Sequence, residues 1–131
     1  MGAENNWKQR TLEELENEVW SDEMKEETYL IQTCAQLRKK RLVDFTTEDL
    51  RIMIGQRIGL LYLIPLALEV LHSNVLAAGD FYEGDLLVSV LRSDETYWQR
   101  EKKQWQRVIA LIEKNRNILS ITHIAPVIEK R

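Results

Sequence analysis

The sequence is poor in cysteine and histidine, which are common zinc ligands and common nucleophiles or bases. Its 131 residues include one cysteine, Cys34, and two histidines, His72 and His123. A single cysteine excludes a disulfide within the chain and favours a reducing compartment, so we expect a cytoplasmic protein. These three residues are widely separated, with no CxxC or HxxxH spacing, and no glycine-rich phosphate loop occurs. The sequence therefore predicts no metal and no other cofactor.

Long apolar runs are also scarce. The longest apolar segment covers residues 59–71, is interrupted by Glu69 and contains one of the only two prolines in the sequence. It is too short to span a bilayer, so it indicates a buried helix. The N-terminus has no apolar segment of signal-peptide length. We therefore expect no membrane-spanning segment and no membrane partner.

What the chain does have is an ordinary proportion of apolar and charged residues, 44% and 30%. This composition fits one globular domain over residues 1–131, with flexible ends at 1–9 and 122–131. The net charge is only −3, but it alternates in sign along the chain. Residues up to 31 and residues 58–96 are acidic, whereas the stretches that follow them are basic. Such blocks either steer charged partners or pair with one another.

Capping residues and apolar periodicity predict an all-α fold. A capping box formed by Thr11 and Glu14 begins a first helix over about residues 11–20. A second helix, over about 25–40, carries an apolar stripe on one face. It ends in the basic run 38–41, whose cations suit a helix C-terminus. The stripe consists of Leu30, Cys34 and Leu37.

A third helix and a buried central helix follow. Thr46 or Thr47 caps the third helix. Pro65 suits the first position of a central helix over about 65–72, which residues 60–64 would enter as an irregular or 3₁₀ turn. The alternative is one longer helix kinked at Pro65.

The last third of the chain is harder to assign. Residues 86–91 form an apolar run that fits either a short buried helix or a strand; we predict a helix, because no other strand candidate could pair with it. A long C-terminal helix is expected over about 94–117, and the tail, 118–128, is consistent with an extended segment. The expected core face of the long helix consists of Trp98, Trp105, Ile109 and Ile112. The prediction is thus an all-α, compact single-domain bundle of about six to eight helices around the central helix.

The strongest candidate for a binding site is the loop of residues 79–85, with the sequence GDFYEGD. Asp80, Glu83 and Asp85 place three carboxylates around Phe81 and Tyr82. Aromatic anchors beside charges are favoured at protein interfaces, and acidic groups suit a basic partner. The alternative is a structural loop, in which the glycines turn the chain and the two aromatic rings fill the core.

No arrangement typical of catalysis is evident, so we expect no enzymatic activity. Cys34 lies on an apolar helix stripe, and neighbouring acids such as Glu13 and Glu14 do not converge on one point. A nucleic-acid-associated regulator or adaptor remains an alternative, because the stretches 38–41 and 100–107 are basic. However, the pI is about 5.5, and we expect no direct binding of nucleic acid.

Four segments in order resemble the immunity proteins of bacterial contact-dependent growth inhibition (CDI) systems. The segments are ELENEVW, EDLRIMIGQ, LIPLALEVL and GDFYEGDLL, and the resemblance spans roughly residues 10–98. The family often has a proline near Asn74 and another at the position of Glu83, and this chain has neither.

The resemblance implies a non-catalytic cytoplasmic protein that binds and neutralises the C-terminal toxin domain of a cognate effector. We expect the protein to act as a monomer in a 1:1 complex. Toxins of such systems are often ribonucleases, RNase A-like or EndoU-like, and a cleft that holds phosphates is commonly basic. We therefore expect the protein to occlude the active site or substrate cleft. Charge and expected exposure suggest eight toxin contacts: Asp80, Tyr82, Glu83 and Asp85, followed by Asp94, Glu95, Glu13 and Glu16.

Overall fold

The computed structural model describes residues 6–20 and 28–129. Within these ranges the chain forms nine α-helices, two 3₁₀ turns and no strand, so the all-α prediction is confirmed. The 3₁₀ turns are Asn6–Gln9 and Leu42–Asp44. The helices are α1 (Leu12–Glu16), α2 (Tyr29–Leu37), α3 (Thr47–Gly55), α4 (Leu60–Ser73), α5 (Asp85–Leu91), α6 (Glu95–Arg100), α7 (Lys102–Lys114), α8 (Arg116–Leu119) and α9 (Ala125–Glu129).

Helix α4 lies at the centre of the core, where it contacts α3, α5 and α7. It begins at Leu60, so the longer-helix alternative is correct and Pro65 lies inside the helix rather than at its start. Its core side chains are fully or almost fully buried, which offsets the backbone hydrogen bond that proline cannot make. The most deeply buried are Leu63, Ile64, Ala67, Leu68 and Leu71.

Helices α3 and α5 pack side by side and make the most extensive contact between any two elements described. Both point in the same direction, because Arg51, in the middle of α3, lies near Asp85 at the start of α5, and Gly55, at the end of α3, lies near Ser89 farther along α5. The residues that precede α5 are therefore placed against the first turn of α3. The prediction that residues 86–91 are helical is confirmed.

The first two helices are shorter than predicted. The capping box of Thr11 and Glu14 is confirmed, but α1 ends at Glu16 because Asn17 adopts a left-handed conformation, with φ 53°. Helix α2 begins at Tyr29, whereas the predicted start at residue 25 lies outside the described residues. Of the predicted stripe, Cys34 and Leu37 are buried, but Leu30 is exposed.

The prediction of one C-terminal helix over 94–117 is wrong. The helix is interrupted at Glu101, whose φ of −108° and ψ of 61° are not helical. At this break Tyr97 packs inward, and its hydroxyl donates to the carbonyl of Leu60 at 3.2 Å. The break also changes which face of α7 is buried: Val108 and Leu111, expected to flank the core, are its most buried residues together with Ile112.

The tail is helical in part rather than extended. It forms α8 and α9, and three of its side chains join the main core: Leu119, Ile124 and Ile128. None of the helices in the described part of the chain is long and apolar enough to cross a membrane.

Candidate protein-binding site

The acidic loop folds around a single buried carboxylate. Asp85, the first residue of α5, is only 2% exposed. Its two oxygens accept hydrogen bonds from the backbone N–H groups of Gly79 at 2.6 Å, Phe81 at 3.1 Å and Tyr82 at 3.3 Å. The expectation that Asp85 is an exposed contact is therefore wrong. Its carboxylate points inward and fixes the path of the loop, since hydrogen bonds to a charged acceptor are the stronger kind.

A second carboxylate holds the loop from the side of α3. Glu48 accepts from the backbone N–H of Asp80 at 2.8 Å and from Nε of Arg51 at 2.7 Å. The bonds from Arg51, followed by the one from Asp80, lower the pKa of the Glu48 carboxyl. The same pairing raises the pKa of Arg51, whose Nε also lies 3.7 Å from Asp85. Both partners are therefore charged at neutral pH, and together they join α3, the loop and α5.

The two aromatic rings of the loop lie at the surface. Phe81 is 72% exposed and Tyr82 is 40% exposed, so the alternative in which they fill the core is wrong. The guanidinium of Arg51 lies 4.2 Å from the centre of the Phe81 ring, a cation–π contact. The Tyr82 ring meets His123 edge to face, with 5.3 Å between ring centres. Each ring is thus supported by a neighbour and still presents apolar surface to solvent.

Gly84 closes the loop at a position that requires glycine. Its φ is 86°, in the left-handed region, and an added Cβ would lie 2.7 Å from Cδ1 of Ile124. Its N–H donates to the carbonyl of Leu76 at 3.1 Å. These contacts leave residues 80–83 as an outward tip in which all four side chains are exposed. We call these residues, Asp80, Phe81, Tyr82 and Glu83, the acidic tip.

Asp94 and Glu95 are not part of this tip. They follow the other end of α5, a helix of 7 residues and therefore roughly 10 Å long. Asp94 caps α6 by accepting from the N–H of Thr96 at 3.0 Å. Both acids line a depression of about 420 Å³ together with Arg57 and Arg92. The two arginines offset the negative charge there, so this region is less acidic than its carboxylates alone suggest.

The acids of α1 have contacts with other parts of the fold. Glu16 forms an ion pair with Arg38, which is itself only 2% exposed. The Arg38 guanidinium also donates to the carbonyl of Glu18 at 2.6 Å and lies over the ring of Trp20. Glu16 therefore anchors the segment after α1, while Glu13 is half-buried on the same helix.

The basic run 38–41 is largely neutralised within the fold. Besides the buried Arg38, Lys40 pairs with Asp49 at 2.6 Å and Arg41 pairs with Asp44 at 3.1 Å. This arrangement does not favour the alternative of a nucleic-acid-binding surface at this run.

Sequence reasoning missed two features of the surface. One is the Glu48–Arg51 pair, for which opposite charges three residues apart on a helix were a readable signal. The other is a groove of about 540 Å³ lined by Trp98, which is buried in the core as predicted, and by Trp105, which is only partly buried; their ring centres lie 5.0 Å apart. Polar residues border this groove: Glu95, Gln99, Lys102 and Gln106.

Comparison with known protein families agrees with the resemblance seen in the sequence. A family model described as CDI immunity proteins matches residues 14–108. The matched range includes all of helices α2 to α6 and the acidic tip. No curated protein and no solved structure matches the chain.

Proposed function

Because the chain belongs to the CDI immunity proteins, and so serves to neutralise a CDI toxin, we propose that the acidic tip is the part that docks on that toxin. The proposed target is a ribonuclease domain, RNase A-like or EndoU-like, with a basic substrate cleft. The carboxylates of Asp80 and Glu83 would take the places of RNA phosphates, and the tip would occlude the cleft. Family membership supports neutralisation; the exposure of the tip supports its location.

The geometry of the loop favours binding because the tip is already ordered. The carboxylates of Asp85 and Glu48 accept four backbone N–H bonds from residues 79–82. A loop held in this way loses little conformational freedom when a partner binds, and such pre-organisation strengthens affinity. The exposed carboxylates would speed the encounter with a basic surface, and the aromatic rings would slow release.

The structure changes the roles that we assign to the eight predicted contacts. Asp80, Tyr82 and Glu83 remain proposed contacts, and Phe81 joins them because of its exposure. Asp85, Glu16 and Asp94 have positioning or capping roles in the fold. Glu13 and Glu95 remain proposed contacts at the margin only.

Three further properties belong to this proposal. The protein acts without catalysis, as is general for its family, and binds the toxin domain as a monomer in a 1:1 complex. It does so in the cytoplasm, where a ribonuclease delivered into the cell would meet its RNA.

A charge-reversal experiment tests the proposed site. The double variant Asp80→Lys/Glu83→Lys should bind the purified cognate toxin domain at least about 100-fold more weakly, since each tenfold loss corresponds to ~1.4 kcal/mol. The matched control, Glu18→Lys/Glu69→Lys, makes the same change in net charge at two exposed acids outside the tip; it also removes the surface pair of Glu69 with Lys8, and its affinity should stay within about threefold of wild type. Calorimetry gives the affinities, and cleavage of a labelled RNA by the toxin domain measures protection.

Two results would count against parts of this proposal. If the tip variant is folded by circular dichroism and binds as tightly as the control variant, the toxin does not dock on the tip. If the toxin domain binds but cleaves no RNA, the ribonuclease assignment is wrong, although docking on the tip stands.

A further inference from the structure

The turn of residues 121–124 lies directly beside the acidic tip. The ring of His123 contacts Tyr82, with 5.3 Å between ring centres at an interplanar angle of 76°. The next residue, Ile124, is buried and packs closely against the position of Gly84. The position of this turn relative to the tip is therefore fixed by an aromatic contact outside and an apolar contact beneath. The two segments form one continuous surface, although about 40 residues separate them in the chain.

This turn presents an unusually exposed apolar side chain. Ile121 is 86% exposed, the highest value for a large hydrophobic residue in the described part of the chain. The turn around it is well ordered, because the N–H and the hydroxyl of Thr122 both donate to the carbonyl of Leu119, at 3.2 and 2.8 Å. Ile121 is two residues from His123, so their Cα atoms are within about 8 Å of each other. An exposed apolar side chain on an ordered turn, close in the chain to a residue that contacts the exposed Tyr82 ring, can extend the apolar surface of the tip into a larger patch, and such patches mark interaction sites.

We propose that residues 121–123 form a second binding edge beside the acidic tip, and that Ile121 enters an apolar depression at the margin of the toxin's basic cleft. This inference rests on the proposed function. The occupant is the same toxin domain, because the contact between Tyr82 and His123 makes the edge continuous with the tip. The expected partner surface is basic where it meets Asp80 and Glu83 and apolar where it meets Ile121. This combination is usual at interfaces, where apolar anchors lie among charged groups. The turn lies outside the matched range 14–108, so the family description assigns it no role.

Substitutions at Ile121 test the second edge. Ile121→Ala should weaken binding of the cognate toxin domain about tenfold, because truncation of an interface anchor typically costs more than 1 kcal/mol. Ile121→Lys should weaken it further, to about 100-fold, because it adds a positive charge next to a basic surface. Leu61→Ala is the matched control: Leu61 is 52% exposed and lies on α4, and its truncation should change the affinity by less than threefold. Thermal unfolding of each variant should match wild type, since both side chains are exposed.

The outcomes separate this inference from the proposed function. If both Ile121 variants bind like wild type while Asp80→Lys/Glu83→Lys binds weakly, the second edge is wrong and the docking of the tip stands. If the tip variant also binds like wild type, both are wrong. If Ile121→Ala abolishes a self-association of the toxin-free protein in sedimentation and leaves toxin affinity unchanged, the edge binds a second copy and the inference is overturned. Weakening at Ile121 but not at Leu61 supports it.

Discussion

Replacing Asp85 with alanine removes the buried acceptor around which the acidic tip is folded. The substitution keeps helix propensity at the first position of α5, so the lost contacts dominate its effect. Three backbone N–H groups, those of Gly79, Phe81 and Tyr82, lose their acceptor. The guanidinium of Arg51 loses a carboxylate 3.7 Å away but keeps its pair with Glu48.

The expected cost can be estimated from these contacts. A hydrogen bond to a charged group contributes about 1.5–3 kcal/mol, and an unmade buried bond costs a similar amount. The three bonds do not add fully, because the bond to Tyr82 is long at 3.3 Å and the exposed tip can turn its N–H groups to water. We expect Asp85→Ala to lower the free energy of unfolding by about 3 kcal/mol, within the ~3–5 kcal/mol typical of a broken buried ion pair. With a urea m-value of about 2 kcal/mol/M, the midpoint should fall by about 1.5 M.

Urea unfolding followed by tryptophan fluorescence measures this shift, and amide hydrogen exchange locates it. The N–H groups of Gly79, Phe81 and Tyr82 should exchange much faster in the variant. Toxin binding should weaken as well, because the tip must then be ordered at the moment of binding. Asp80→Ala is the control: its side chain is exposed, so its unfolding midpoint should remain within about 0.3 M of wild type.

The reasoning would be refuted by an Asp85→Ala variant that unfolds within about 0.5 kcal/mol of wild type with unchanged exchange at these three amides. The loop would then hold its shape through Glu48 and Gly84 alone. If Asp85→Ala loses stability but binds the toxin normally, the role of Asp85 in positioning the loop would stand. The proposed link between the order of the acidic tip and toxin affinity would then be contradicted.

Two further predictions concern backbone conformation and pH. Gly84→Ala should destabilise the protein by about 1–3 kcal/mol, because the φ of residue 84 is 86° and the new Cβ would meet Ile124. Gly55→Ala is the control: residue 55 is in a helix, a Cβ there would lie 4.0 Å from its nearest neighbour, and the change should stabilise by about 0.5 kcal/mol. Similar urea midpoints for the two variants would contradict the prediction. The hydrogen bond from Arg51 is the main cause that lowers the pKa of Glu48 in the folded protein below its ordinary value of 4.5. At a pH between the folded pKa and about 4.5, the unfolded state therefore binds more protons than the folded state. The stability that the Glu48–Arg51 pair contributes is present above about pH 4.5 and is lost as the pH falls through the folded pKa. Unfolding at pH 7 and pH 3 should show a smaller difference for Glu48→Gln than for wild type, and equal differences would show that this pair does not contribute.

Much of the fold could be predicted because its signals are local. The capping box predicted at Thr11 is present, and Thr46, one of the two caps predicted for the third helix, caps α3; both signals depend on residues three positions apart. The apolar run 86–91 is helical as predicted, since without a second strand to pair with it a strand would leave its backbone groups unsatisfied. The family was also recognisable from short segments in order, which the match over residues 14–108 supports.

The errors lie where distant residues compete with local preference. The break at Glu101 is not evident from the periodicity of residues 94–117, because it accompanies the packing of Tyr97 against α4. The tail resembled an extended segment because β-branched residues and proline disfavour helix. Burial of Ile124 and Ile128 in the core nevertheless accompanies a short helix there.

The sequence by itself determined that a loop rich in carboxylates and aromatic rings separates two buried helices, since that follows from composition and spacing. It did not distinguish the roles of the three carboxylates, because Asp80, Glu83 and Asp85 are chemically alike along the chain. Only the tertiary structure decided that Asp85 points inward to three N–H groups while the other two face solvent. It also decided that Arg51 supports Phe81 and that His123 supports Tyr82. The physical reason is that burial and hydrogen bonding depend on which elements meet in space, and α3 and the C-terminal turn meet this loop from distant parts of the sequence.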